Sequence, residues 1–173
     1  MASLSFPSVL VLFFPAAMAL AASMDLLTMT IPNRLSLAVA AGYLVLAIAA
    51  GSPASEIAYN LSCGLVVLAL TFALFTQGWI GGGDAKLAAA TAMWLGWGAI
   101  ADYGLSAAIY GGVLTLAILI IRKVSLPSWM SAQAWVARLH DAKTGVPYGI
   151  ALAAAGIMVF PETQLWQALS AAR

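Results

Sequence analysis

The chain has 173 residues, 64% apolar and 8% charged, with a formal net charge of +1 and a mean hydropathy of +1.00, whereas soluble domains are roughly half apolar and a quarter charged. So few charges, set between long apolar runs, exclude a disordered chain and a soluble α/β enzyme. The near-neutral balance excludes nucleic acid as a partner, because no basic stripe faces its phosphates.

Gaps between charges mark six apolar spans, about 6–23, 35–53, 57–77, 84–101, 103–121 and 145–161. Period-2 alternation is absent, which leaves an all-α polytopic membrane helix bundle of about six transmembrane helices, one domain over 1–173. Ala17–Ala22 resembles a signal-cleavage site, but no Lys or Arg precedes Arg34, so the first helix is expected to be retained. That helix ends near Asp25. Beyond it, Pro32 turns Ile31 out of helical geometry, and Asn33 is the expected N-cap of the second helix.

The charge-free stretch 87–101 reaches only about 22 Å against a hydrocarbon core of about 30 Å. The fourth helix is therefore expected to recruit Gly81–Lys86, which sets Asp84 below the interface, and to end at a short loop holding Asp102. Gly81-Gly82-Gly83 is expected to be irregular backbone lining a cavity, open to close approach by another chain. Lys86, two residues from Asp84, points elsewhere and snorkels to headgroups. Residues 126–140 are expected to form an interfacial helix, with Leu126, Trp129, Val136 and Leu139 on one face and Ser131 and Arg138 opposite. Val146-Pro147-Tyr148-Gly149 opens the last span, with Pro147 suited to its first turn.

Six crossings place Arg34, Lys86, Arg122, Lys123, Arg138 and Lys143 on one side and Arg173 on the other. The positive-inside rule makes the first side cytoplasmic and sets both termini outside. Glu56, Asp102, Asp141 and Glu162 read as solvated boundary residues, whereas Asp25 and Asp84 lie together on the inner side. Spacing alone leaves three readings of that pair. They are the dyad of an aspartic protease, where a neutral acid and an ionised base coexist; two boundary residues capping helix ends; or a proton or cation path, as in a small transport subunit. His140 has no second ligand nearby and Cys63 stands alone, so no metal site is expected. No cofactor is expected. Trp79, Trp94, Trp97 and Trp166 are read as interfacial belt residues.

Gly81-Gly82-Gly83-Asp84-Ala85-Lys86 resembles the GxGD signature of the membrane aspartic proteases, and most closely its prepilin peptidase version. Asp25 followed by Ile31-Pro32-Asn33, and Val146-Pro147-Tyr148-Gly149, are similar to two further motifs of that family, in order on helices one, four and six. The resemblance implies the GxGD protease fold. It implies Asp25 and Asp84 as catalytic residues, with Gly81, Gly82, Gly83, Pro147, Tyr148 and Gly149 contacting substrate, and it implies an aspartic endopeptidase in a bacterial inner membrane. The implied substrate is a prepilin-like precursor with a short basic leader ahead of an apolar helix, cut after a glycine at the cytoplasmic face, in contact with pilus assembly machinery. Larger members carry a domain with paired Cys-x-x-Cys elements and methylate the new N-terminus. This chain has one cysteine, so it resembles the short form that serves Flp/Tad-type pili, without methyltransferase activity.

Overall fold

In the computed structural model, which describes residues 12–171, the elements are all helical. They are α1 (Phe13–Thr28), α2 (Asn33–Ala49), α3 (Ala54–Thr76), α4 (Gly82–Ile121), α5 (Ser128–Ser131), α6 (Ala134–His140), α7 (Gly149–Val159), a 3₁₀ turn (Phe160–Glu162) and α8 (Gln164–Ala171). Positions 6–11 of the expected first span, and Arg173 of the charge tally, lie outside the described residues. By length and composition α3 and α4 are able to cross a membrane; α1, α2 and α7 with its 3₁₀ extension are shorter apolar helices. Leu37, Val45, Leu65, Leu70, Val113 and Leu116 stand exposed on the outer faces, an apolar surface of the kind a lipid environment would cover.

One residue reshapes the middle of the chain. Gly96 has φ 64° and ψ −179° inside α4, a region essentially reserved for glycine. A straight helix would hold Asp84 and Ala107 about 35 Å apart, yet both line one cavity. The second half of α4 therefore folds back beside the first. The break expected at Asp102 falls six residues earlier, at Gly96, and Asp102 lies exposed within the returning helix. Charge had marked the boundary in sequence, but backbone freedom decides where the turn is made. A Cβ at Gly96 would also overlap the Asn60 amide of α3.

The first half of α4, nearly continuous in buried residues from Ala85 to Gly96, is the axis of the bundle. α2, α3 and α7 pack on α4, and α1 packs on α7. Near the Gly96 turn the packing is aromatic: Trp94, 1% exposed, lies 4.9 Å from Phe14, 5.7 Å from Phe160 and 6.1 Å from Tyr43 between ring centroids. Its indole N–H donates to the Val39 carbonyl at 2.9 Å. Trp94 is thus a core residue and not part of an interfacial belt.

The expected interfacial helix is two pieces, because Gln133 takes extended geometry (φ −82°, ψ 117°) between α5 and α6. Leu126, Val136 and Leu139 still converge with Ile118 and Ile121 on one cavity. Trp129, on the detached α5, is left outside at 72% exposure.

Candidate active site

The buried face of α1 runs Phe14, Ala17, Met18, Ala21 and then Asp25, so the helical repeat that buries the apolar stripe also carries the carboxylate inward. Asp25 is 5% exposed. A carboxylate in the last turn of a helix faces the unfavourable end of the dipole, so capping α1 does not explain it. What offsets the position is α7: Gly149, its first residue, donates its N–H to Asp25 Oδ2 at 2.7 Å. The carboxylate thereby sits on the positive end of a second helix. A Cβ at Gly149 would come within 2.8 Å of that oxygen and 2.7 Å of Ile31 Cδ1. α1 closes on Met29 in left-handed geometry (φ 55°, ψ 27°), with Thr28 and Thr30 hydroxyls 2.8 Å apart.

Asp84 enters from the other side. Gly81 is the extended N-cap of α4 (φ −72°, ψ 144°), and Asp84 occupies the first turn, where a negative charge suits the dipole. Its carboxylate folds back over Gly81, whose Cβ, if it had one, would lie 2.9 Å from Oδ2. The expectation of an irregular glycine run holds only for Gly81. Gly82 and Gly83 are helical with ordinary φ, because the helix extends to meet its N-cap. Their value is close approach: a Cβ at Gly83 would be 3.1 Å from Ile31 Cβ and 3.3 Å from its backbone nitrogen. As helical residues they offer no strand edge to a peptide.

Asp25 and Asp84 line a single cavity of about 280 Å³ together with Met29, Thr30, Ile31 and Gly81–Gly83. Asp84 also borders a larger apolar space of about 370 Å³, between α3 and the two halves of α4, which includes Tyr103 and Tyr148. Tyr148 donates its hydroxyl to the Ala107 carbonyl at 3.0 Å, and Gly111 leaves room for its ring. Pro147 is fully buried but precedes the N-cap Tyr148. It is therefore not in the first turn, and it lines neither cavity.

Three contributors were not legible beforehand. Arg122, counted only for its charge, donates Nε to the Leu139 carbonyl at 2.7 Å and Nη2 to the carbonyls of Thr144 and Gly145 at 3.0 Å each. It thus fixes the loop that delivers Gly149. Arg138 donates to the Leu27 carbonyl at 2.8 Å, tying α6 to the end of α1. The buried Tyr103 hydroxyl, facing the larger space, has no hydrogen-bond partner, and no sequence signal marks it. Asn33, expected as an N-cap, is instead the first residue of α2 behind Pro32 and makes no cap; its Oδ1 accepts from Lys86 at 2.8 Å. The lysine thus contacts α2 and is held away from Asp84.

Two aspartates from separate helices are thus brought to one cavity, at the end of an apolar bundle where Lys86, Arg122 and Arg138 also gather. Residues 12–122 match the type IV leader peptidase family, peptidase A24; the chain belongs to that family. Its membership points to cleavage of leader peptides from prepilins. The match includes both aspartates and the glycine run, while the Tyr148–Gly149 contribution lies beyond it. No curated protein and no solved structure matches the chain.

Proposed function

We propose that the protein is an aspartic endopeptidase of the inner membrane. It removes the short basic leader from Flp/type IV pilin-like precursors at the cytoplasmic face, with Asp25 and Asp84 as its catalytic pair. The observation that carries this reading is the shared cavity, which sets both carboxylates against one small volume. One carboxylate takes a proton from a water that attacks the scissile carbonyl. The other protonates the carbonyl oxygen; as the tetrahedral intermediate collapses, the first carboxyl passes the proton it took from water to the departing amine, and the second recovers its proton from the gem-diol hydroxyl. The roles belong to the pair as a unit.

Several features support the placement. The basic residues Lys86, Arg122 and Arg138 share the aspartates' end of the bundle, which by the positive-inside rule faces the cytoplasm and sets the termini outside. Gly81, Gly82 and Gly83 line the cavity that an extended substrate would enter, Tyr148 borders the larger space beyond Asp84, and Gly149 acts through its N–H on Asp25. A single cysteine supports the short form, without a methyltransferase.

The test is to incubate the purified protein with a synthetic peptide carrying a basic leader, a glycine and an apolar helix, and to weigh the fragments. Cleavage after the glycine, insensitive to chelators, is the expected result. An intact peptide together with ion flux through reconstituted vesicles would overturn the reading in favour of a transport subunit.

A further inference from the structure

Away from the carboxylates, α2 and α3 both pack on α4 but scarcely on each other. The gap between them is a groove of about 370 Å³, floored by Ala89 and Ala90 and flanked by Leu37, Leu68 and Met93. α3 is held close to α4 on its far wall at Gly64, where a Cβ would be 3.1 Å from the Ala89 carbonyl.

Three polar side chains, Asn33, Ser36 and Lys86, interrupt this apolar trough. At its mouth stands Lys86, whose partner is the Asn33 amide oxygen and not a carboxylate, so its charge is solvated but not neutralised. Deeper in, the Ser36 side chain is 6% exposed, and its hydroxyl has no hydrogen-bond partner. A helical serine ordinarily donates to the carbonyl four residues back. Ser36 does not, and a buried unsatisfied hydroxyl is costly unless something reaches it.

We infer that this groove is a binding site for one anionic phospholipid, with its phosphate on Lys86, a glycerol ester carbonyl accepting from Ser36, and an acyl chain along Leu37, Leu68 and Met93. Lys86 and Ser36 both line the groove, and Ser36 lies about one helical turn beyond Asn33, the partner of Lys86, the order in which a glycerophospholipid presents its phosphate and its ester groups. A positive charge above an apolar channel selects an anionic amphiphile over a zwitterionic one. This site rests on the bundle lying in a bilayer and not on the peptidase reading.

Native mass spectrometry of the full chain, released from nanodiscs of phosphatidylcholine and phosphatidylglycerol, tests it. Wild type is expected to retain one phosphatidylglycerol. Lys86→Gln should lower that retention about fivefold, the effect of one basic charge near a membrane surface, while Lys86→Arg preserves it. Ser36→Ala should weaken retention, and Ser36→Thr should restore it. Retention blind to headgroup charge, or equal in wild type and Lys86→Gln, would overturn the site. So would a photoreactive group at position 37 that crosslinks to the apolar segment of a prepilin-like peptide while the lipid is expelled, since the groove would then belong to the peptide. Peptide cleavage plays no part in the main readout, so loss of the peptidase reading leaves the lipid result interpretable.

Discussion

Around the Trp94 ring the bundle is closely packed, although a cavity of about 360 Å³ opens beside it among Glu56, Asn60, Gly96 and Glu162. Phe14, Tyr43 and Phe160 close on the indole, each nearly inaccessible, and even the indole N–H is satisfied. Around Asp84, about 15 Å along the same helix, it is hollow: two cavities meet at the carboxylate, one buried tyrosine hydroxyl is unsatisfied, and glycines replace side chains at the contacts. One end of the axis is built for rigidity by packing. The other keeps room and an unsatisfied polar group, at a cost in stability.

That contrast sorts the expected effects of substitution. At the hollow end chemistry should fail while the fold persists. Asp25→Asn and Asp84→Asn are each expected to lower leader cleavage by about 10³-fold, with thermal unfolding in detergent near that of wild type. A variant that unfolds instead would make its aspartate structural. At the filled end the pattern inverts. Trp94→Ala is expected to cost about 3–5 kcal/mol of stability, read as a large fall in melting temperature, while the fraction still folded cleaves normally. Gly96→Ala should cost about 2 kcal/mol, because alanine does not tolerate its φ and ψ; melting temperature checks this, and an unchanged value would mean that the turn is not fixed there. The smallest effect belongs to Gly149→Ala. Its methyl presses on Asp25 and Ile31, for an expected tenfold loss of cleavage, about 1.4 kcal/mol on the barrier, with little change in melting.

The filled and hollow ends also differ in how far they could be read from sequence. Charge gaps locate apolar segments because burying an unpaired charge in hydrocarbon is expensive, and they bring out Asp25 and Asp84 by the same logic. The stripe Phe14–Met18–Ala21–Asp25 points the first carboxylate inward by helical repeat alone. Contacts between distant segments are not encoded in any local pattern. Nothing near Asp25 announces the Gly149 N–H, 124 residues away, or the Arg122 clamp that holds its loop. Gly96 is one glycine among 15, and nothing local distinguishes the one whose backbone freedom makes the turn, whereas Asp102 has the charge expected of a loop. Asn33 carried a capping signal but gave its side chain to Lys86, as tertiary partners often override local preference.

The central claim is that Asp25 and Asp84 act as one unit in one cavity, and its most direct test is a double-mutant cycle on peptide cleavage. Groups that work as a unit show grossly non-additive losses. The expected result is that Asp25→Asn, Asp84→Asn and the double variant share nearly the same residual rate. Losses that multiply in the double variant, or a wild-type rate in either single one, would contradict a shared catalytic pair.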